Sequence, residues 1–348
     1  MAAYLFFDVE KVQAPRVYRK RIDQLGRFTD AETVSRYRLS KEEIRRLVRV
    51  LEPALVRSTN RSHALTPTQQ VLVALRFLAT GSFQSVVGDI HGVSQPSASR
   101  AIRAVVEAIC ASDDHSLSVH FPSEQAEVRR TQNEFHSIAG FPRVLGCVDG
   151  TMIAIKSPTA DVENAYVCRK GFHAINVQAI CNAQLIFTDV VCRWPGSTHD
   201  SFIFTNSGIG QHFEGMDAED IPGFLLGDSG YPLRPYLMTP KANPLTGPET
   251  RYNRAHISTR NSIERALGVL KSRWRCLDRS GGSLQYSPDV ASNIIMACFR
   301  LHNLCIRAGL PLPGDVQQLE PDELLPLLGN DRPDGFRARE QLIMHKFS

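Results

Sequence analysis

Four acidic side chains stand where a carboxylate is costly: Asp149 in VLGCVDGTMIAIK (144–156), Asp200 in WPGSTHD, Asp228 in FLLGDSGY and Glu264 in RNSIERALGVLKSRWRCL. Each lies in or beside an apolar run. A carboxylate there is stable only when it is paired, hydrogen-bonded or holding a cation. Carboxylates and water are the ligands that hard cations such as Mg²⁺ or Mn²⁺ prefer. Acids that converge could hold two such ions about 4 Å apart, where a water or 3′-hydroxyl is activated and the leaving oxygen stabilised in phosphodiester cleavage.

Every one of these acids also has a local reading. Asp149–Gly150 between apolar runs is a strong hairpin signal. Asp200 is placed to N-cap a following helix. Asp228 in GDSGYP suits a turn residue that holds its own backbone. Glu264, three residues after Asn261, suits the far end of a capping box. These readings explain the acids singly; they explain less well why all four flank predicted sheet edges or a late helix.

The elements that must position the acids follow from periodicity. Val144–Lys156, Phe172–Cys181 and Gln184–Cys192 read as three successive strands, the last two joined by a tight hairpin at Asn182–Ala183. A helix begins at Asp200–Thr205, and Gly223–Leu226 is a short buried strand ending at Asp228. Residues 232–258, rich in Pro, Asn and Gly, read as a long loop. Helices are then predicted over Arg260–Cys276, with Ile263, Leu267, Leu270 and Trp274 on one stripe, and over Asp289–Ile306. This order is that of a ribonuclease-H-like α/β layout, in which an acid on the first strand, one ending the fourth and one on the late helix meet at one edge.

The first 142 residues read as helical. Ser40 and Glu43 announce a helix from Lys41 that Pro53 ends, Thr66–Pro67 opens a second that stops at Gly81, and Glu124–Ala139 is a later one. Between them, Ser82–Ile90, a turn with Gly92, and a helix from Ser94 to about Cys110 resemble a helix-turn-helix. Ala98, Ile102, Val105 and Ile109 form its inward stripe, and Ser99, Arg100 and Arg103 its outward face, where hydroxyls and guanidinium groups reach phosphates and base edges. An ordinary helical hairpin with a solvated face has the same pattern.

Bulk properties set limits. A composition 43% hydrophobic and 22% charged is that of an ordinary globular protein. Residues 1–111 carry 17 Lys and Arg against 10 Asp and Glu, a basic front end suited to nucleic acid, whereas residues 308–348 carry 4 against 7. The eight cysteines form no C-x-x-C pair and sit mostly among apolar neighbours, so free thiols in a reducing compartment are expected. MAAYLFF runs straight into Asp8 and Glu10 without a basic segment before it, so it does not read as a signal peptide, and no run approaches the roughly 18 apolar residues of a membrane span. An intracellular, non-membrane protein is the expectation.

At this point the segments VDGT (148–151), RKGFHAINVQ (169–178), WPGSTHDS (194–201), LLGDSGYPL (225–233) and IERALGVLKSRWRCL (263–277) resemble the DDE domain of PIF/Harbinger transposases and the nucleases derived from them. SFQSVVGDIHGVSQPSASR, LQYSPD (284–289) and the HKFS end extend the resemblance over almost the whole chain. It implies an α+β protein: an N-terminal helix-turn-helix-like region over 1–142, a ribonuclease-H-like nuclease domain over 143–309 and an acidic tail over 310–348 whose QLIMHKF segment is free to dock. It further implies a divalent cation, Mg²⁺ or Mn²⁺, with Asp149, Asp228 and Glu264 as the catalytic triad and Asp200 as an auxiliary ligand. A separate Myb-like DNA-binding partner, and a location in both nucleus and cytoplasm, come from the resemblance alone.

Two functions compete. The favoured one is a metal-dependent DNA endonuclease, with Ser99, Arg100, Arg103 and, on the face of Glu264, Lys271 and Arg275 covering the phosphate backbone. The other is a catalytically silent DNA-binding adapter that keeps the fold. A phosphatase or RNA nuclease on the same fold is disfavoured by the helix-turn-helix. His173 and His199, inside matched segments, are left out of the catalytic set.

Overall fold

The computed structural model describes residues 23–56, 64–217, 219–314 and 331–348. MAAYLFF, most of the basic RVYRKRIDQLGR cluster and the acidic stretch 315–330 lie outside the described residues. The chain runs α1 (Gln24–Arg27), α2 (Asp30–Tyr37), α3 (Lys41–Leu55), α4 (Pro67–Thr80), α5 (Gln84–His91), α6 (Gln95–Ala111) and α7 (Gln125–Ala139). Then come β1 (Val144–Ala154), α8 (Glu163–Tyr166), β2 (Ala174–Cys181), β3 (Phe187–Pro195), α9 (Asp200–Thr205), α10 (Gly208–Glu214), β4 (Phe224–Leu226) and β5 (Leu237–Met238). The long α11 (Gly247–Arg273), α12 (Pro288–Arg307) and α13 (Pro333–Lys346) close it.

The helical region forms from well-signalled ends. Thr66 and Gln69 make a reciprocal capping box at α4, Pro67 opens its first turn, and Gly81 stops it in the left-handed conformation. Gly92 ends α5 in the same way, and Gly88 lets the turn close: a Cβ there would lie 2.7 Å from the Val93 carbonyl oxygen. The predicted inward stripe of α6, Ala98, Ile102, Val105 and Ile109, is buried. Pro53 sits inside the last turn of α3, which continues to Leu55. A proline that close to a helix end forfeits little of the hydrogen-bond ladder.

Five strands form one sheet in the order β3-β2-β1-β4-β5. β1, β2 and β3 pair antiparallel, and β4 joins β1 and β5 in parallel. The hairpin between β2 and β3 is wider than the two residues predicted. Asn182 Oδ1 accepts from the backbone N–H of Gln184 and Ile186, and Leu185 takes a positive φ of 65°. The predicted loop over 232–258 also needs correction. It holds β5 and the first twelve residues of α11, started by a Thr246–Glu249 capping box with Pro248 in the first turn, where its missing N–H costs nothing.

α11 and α12 cover one face of the sheet, and α6 packs against α12, so side chains of the helical region and the sheet share one continuous core. α9 and α10 cover the opposite face around Phe204, Phe213, Tyr231 and Tyr236. The tail's QLIMHKF segment docks: Leu342 and Ile343 are buried on α13, and the Phe347 ring packs 5.5 Å from Phe141 and 5.6 Å from Tyr252.

Candidate active site

Asp149 lies mid-strand on β1, which continues for five residues beyond it, so Asp149–Gly150 is no hairpin. Successive strand residues face opposite sides of a sheet. On the α11 side, the Cys147 thiol donates to the Thr259 carbonyl at 3.4 Å, and Asp149 Oδ2 stands 3.4 Å from Arg260 Nη1. On the other side is Gly150, and the Asp200 carboxylate lies directly over it: an added Cβ would meet Asp200 Oδ1 at 2.6 Å and Cγ and Oδ2 at 2.8 Å. Asp200 is the first residue of α9, with His199 in the capping position. Its Oδ1 accepts from Asn176 Nδ2 at 2.8 Å, while the same amide holds the Thr198 carbonyl at 2.8 Å.

Asp228 follows β4 and takes the turn role as well, its Oδ1 accepting from Gly230 N–H at 2.9 Å. The turn, closed by the Tyr231 N–H donating to the Asp228 carbonyl at 3.3 Å, folds the Tyr231 ring back against Gly227. The Tyr231 hydroxyl is buried with no hydrogen-bond partner among the described residues. Burial first, then Asp200, Asp149 and Asp228, push its pKa up. Glu264 is mid-helix in α11, seventeen residues from the start, which removes the capping-box reading with Asn261. It reaches the cluster through Arg260, whose Nη2 donates to Glu264 Oε1.

The electrostatics bind these groups together. Burial, then Asp228 and Asp200, push the Asp149 carboxyl up to about 8 even though Arg260 opposes them. Burial also works against the charge of Arg260, but Asp149, Glu264 and Asp228 outweigh it and raise that guanidinium above its ordinary range. The structure therefore brings Asp149, Asp200 and Asp228 into one electrostatic cluster and joins Glu264 to it across a guanidinium. Among the described residues, no three His, Cys, Asp or Glu side chains are arranged as a ready-made metal site.

Arg260, Asn176 and Tyr231 are the residues that sequence reasoning missed. Arg260 was legible as the i−4 partner of Glu264. Asn176 and Tyr231 sit inside the quoted HAINVQ and GDSGY segments without standing out from them. The two histidines left out have other partners: His173 Nε2 lies 3.1 Å from Glu163, and His199 Nδ1 lies 2.9 Å from Arg169.

Of the expected DNA contacts, Arg100 and Arg103 are exposed on α6 and Ser99 is half-buried beside them. Arg103 pairs with Glu107 at 2.8 Å. Lys271 reaches the Met152 carbonyl of β1 at 3.5 Å, beside the acid-bearing strand. Arg275 needs correction: α11 stops at Arg273, so Arg275 turns off the Glu264 face and approaches Ser280 and Asp278 at 3.3 and 3.9 Å.

A β3-β2-β1-β4-β5 sheet with acids on its first strand, after its fourth and on the late helix defines a ribonuclease-H-like fold of the DDE class. Residues 148–303 match the DDE superfamily endonuclease family. The chain is 40% identical over 331 residues to "Putative nuclease HARBI1" of Bos taurus, covering 93% of both proteins. It is 39% identical over 330 residues to the protein of that name from Homo sapiens, again covering 93% of both. To "Protein ALP1-like" of Arabidopsis thaliana it is 30% identical over 264 residues, covering 72% of this chain and 63% of that protein. No solved structure matches the chain. The chain belongs to the PIF/Harbinger family of DDE transposases and transposase-derived nucleases.

Proposed function

We propose that the protein is a divalent-metal-dependent DNA endonuclease that hydrolyses phosphodiester bonds, using Asp149, Asp228 and Glu264 as catalytic carboxylates and Asp200 as an additional ligand. One observation carries the reading: on the central strand of a DDE-family sheet, Asp149 is coupled to Asp228 and, across Gly150, to Asp200, and the Arg260 guanidinium joins it to Glu264 of α11. The donor set fits a hard cation, since every donor is a carboxylate oxygen and the acids outnumber Arg260. Mutual repulsion of these acids is relieved by added positive charge.

When bound there, Mg²⁺ or Mn²⁺ would supply Lewis acidity, making a bound water more acidic than bulk water and neutralising charge that develops on the phosphate. The protein's own groups do the positioning. Asn176 fixes Asp200, the Gly230 N–H fixes Asp228, and Arg260 must give up Asp149 and Glu264 for those oxygens to turn to another cation. Released guanidinium charge beside the site, with Lys271 about two turns beyond Glu264 along α11, is suited to the phosphate being cut. Ser99, Arg100 and Arg103 on α6 are the residues assigned to hold the duplex. A Myb-like DNA-binding partner and a shared nuclear and cytoplasmic location belong to this reading on the strength of the family resemblance.

Supercoiled-plasmid nicking by the wild type, Asp149→Ala and Glu264→Ala, with Mg²⁺, Mn²⁺ or chelator, tests it. Nicking that needs both the metal and the acids is expected. A folded wild type that binds DNA without nicking it would replace this reading with the silent adapter.

A further inference from the structure

Away from the acids, at the far end of α11, a cavity of about 340 Å³ opens between the helical region and the catalytic helix. Arg38, Arg273 and Arg275 line it together with Ser35. Three features set it apart from a solvated basic surface.

Arg38 caps α2 in the left-handed conformation, φ 65°, where glycine is the residue without steric penalty. Arg38 Nε donates to the Arg273 carbonyl at 3.2 Å and its Nη1 to the Ser35 carbonyl at 2.6 Å, which fixes the guanidinium in the seam and leaves Nη2 without an acceptor among the described residues. Arg273 is only 3% exposed: its Nη2 holds the Pro311 carbonyl and its guanidinium lies against the buried Cys305 thiol, so it adds fixed positive charge beneath the cavity wall and no donor to its mouth. Arg275 turns into the same cavity by leaving the helix, and offers Nη1 beyond its contacts with Ser280 and Asp278.

The charges are crowded as well. Burial first, and then Arg76, Arg275 and Arg273, hold Arg38 below the ordinary guanidinium range. The carboxylate on the cavity wall, Asp278, is already engaged by the backbone and hydroxyl of Ser280. Like charges gathered at a half-buried cavity repel one another, and an oxyanion relieves that repulsion while accepting the spare forked donors.

We propose that this cavity is a binding site for a phosphoryl group, supplied by the DNA backbone or by a free phosphate-bearing molecule. Arg273 lies nine residues after Glu264 on one helix, about 13 Å along its axis. Laid parallel to a duplex axis, that distance corresponds to about four phosphates of one strand. In the backbone case the proposal rests on the nuclease reading and assigns the part of the strand that lies off the cleavage point.

The test uses the full chain in chelator, so neither metal nor cleavage enters the readout. Pyrophosphate is titrated at constant ionic strength and followed by thermal unfolding, for the wild type, the exposed variant Arg275→Gln and the charge-preserving Arg275→Lys. Saturable stabilisation of the wild type is expected. Its Kd should rise about tenfold in Arg275→Gln and less in Arg275→Lys, with melting temperatures unchanged in the absence of pyrophosphate. No saturable binding, or one Kd for all three proteins, overturns the site. Anisotropy of a labelled duplex across salt concentrations then separates the sources. A slope reduced by about one in Arg275→Gln assigns the cavity to the DNA backbone. An unchanged slope together with lost pyrophosphate binding assigns it to a free phosphate compound.

Discussion

Gly150→Ala is the substitution that tests how the site is assembled. β1 is extended there, so alanine is sterically compatible with the backbone and would ordinarily help a strand. The obstacle is Asp200. The new Cβ would fall 2.6 to 2.8 Å from all three carboxylate atoms, where ordinary contact begins at 3.4 Å, so the whole group must retreat by about 0.6 to 0.8 Å. That retreat stretches the 2.8 Å bond from Asn176, a charge-assisted hydrogen bond worth about 1.5–3 kcal/mol. A stability loss of about 2 kcal/mol and a melting temperature lower by a few degrees are expected. Under the proposed function Asp200 is a metal ligand, and a displacement of most of an ångström then costs more in function than in folding: Mn²⁺ affinity should fall about 10- to 100-fold, with plasmid nicking reduced about 100-fold. Calorimetric Mn²⁺ titration and nicking rates, each beside thermal unfolding, measure these effects. Gly208→Ala, whose Cβ meets nothing within 4 Å, is the matched control. Wild-type Mn²⁺ affinity in Gly150→Ala would show that Asp200 does not act across Gly150, and the assembly described here would fail.

Two further outcomes follow from groups around the site and in the core. Arg260→Gln removes the cation shared by Asp149 and Glu264, and should cost about 2–3 kcal/mol without metal, less than a fully buried pair because Glu264 is 41% exposed. Mn²⁺ should then raise the melting temperature of the variant more than that of the wild type, and equal shifts would refute competition between guanidinium and metal. Burial lowers His256 to about 4 and His302 to about 3, while the unfolded chain titrates near the ordinary 6.5. The unfolded state therefore binds protons that the native state refuses: stability is full above about 6.5 and falls with pH by about 1.4 kcal/mol per unit for each histidine, down to its native value. Urea unfolding between pH 5 and 7 should show a shallower acid loss in His302→Gln; parallel curves would sink the assignment.

The fold was legible where periodicity was strong. The first four strands, α6 and the buried stripe of α11 announce themselves through apolar spacing. β5 is two residues long, too short for any period to show, and it lies among the prolines and asparagines that made 232–258 read as a loop. The first half of α11 buries Tyr252, Ala255, His256 and Thr259, an inward face half polar, so it carries no continuous apolar stripe. Its Thr246–Glu249 box was still a readable start, as was Thr29–Glu32 at α2. Arg260 therefore lies thirteen residues inside α11 and not at its start, one turn before Glu264, with which it pairs.

The acids were legible for a different reason: a carboxylate inside an apolar run must have something to hold it, whatever the fold. What that reasoning could not supply was the role of the glycine beside the first of them. Asp–Gly between apolar segments favours a turn when the strand ends there. Here β1 continues to Ala154, and its alternation sends Asp149 toward Arg260 on one face and leaves Gly150 as a hole in the other. Asp200 fills that hole from α9. Two acids 51 residues apart in the chain thus meet through the sheet, where a larger residue at 150 would hold them apart. The dipeptide works as an acid next to a window, and only the pairing of both strand neighbours of β1 distinguishes this from a turn.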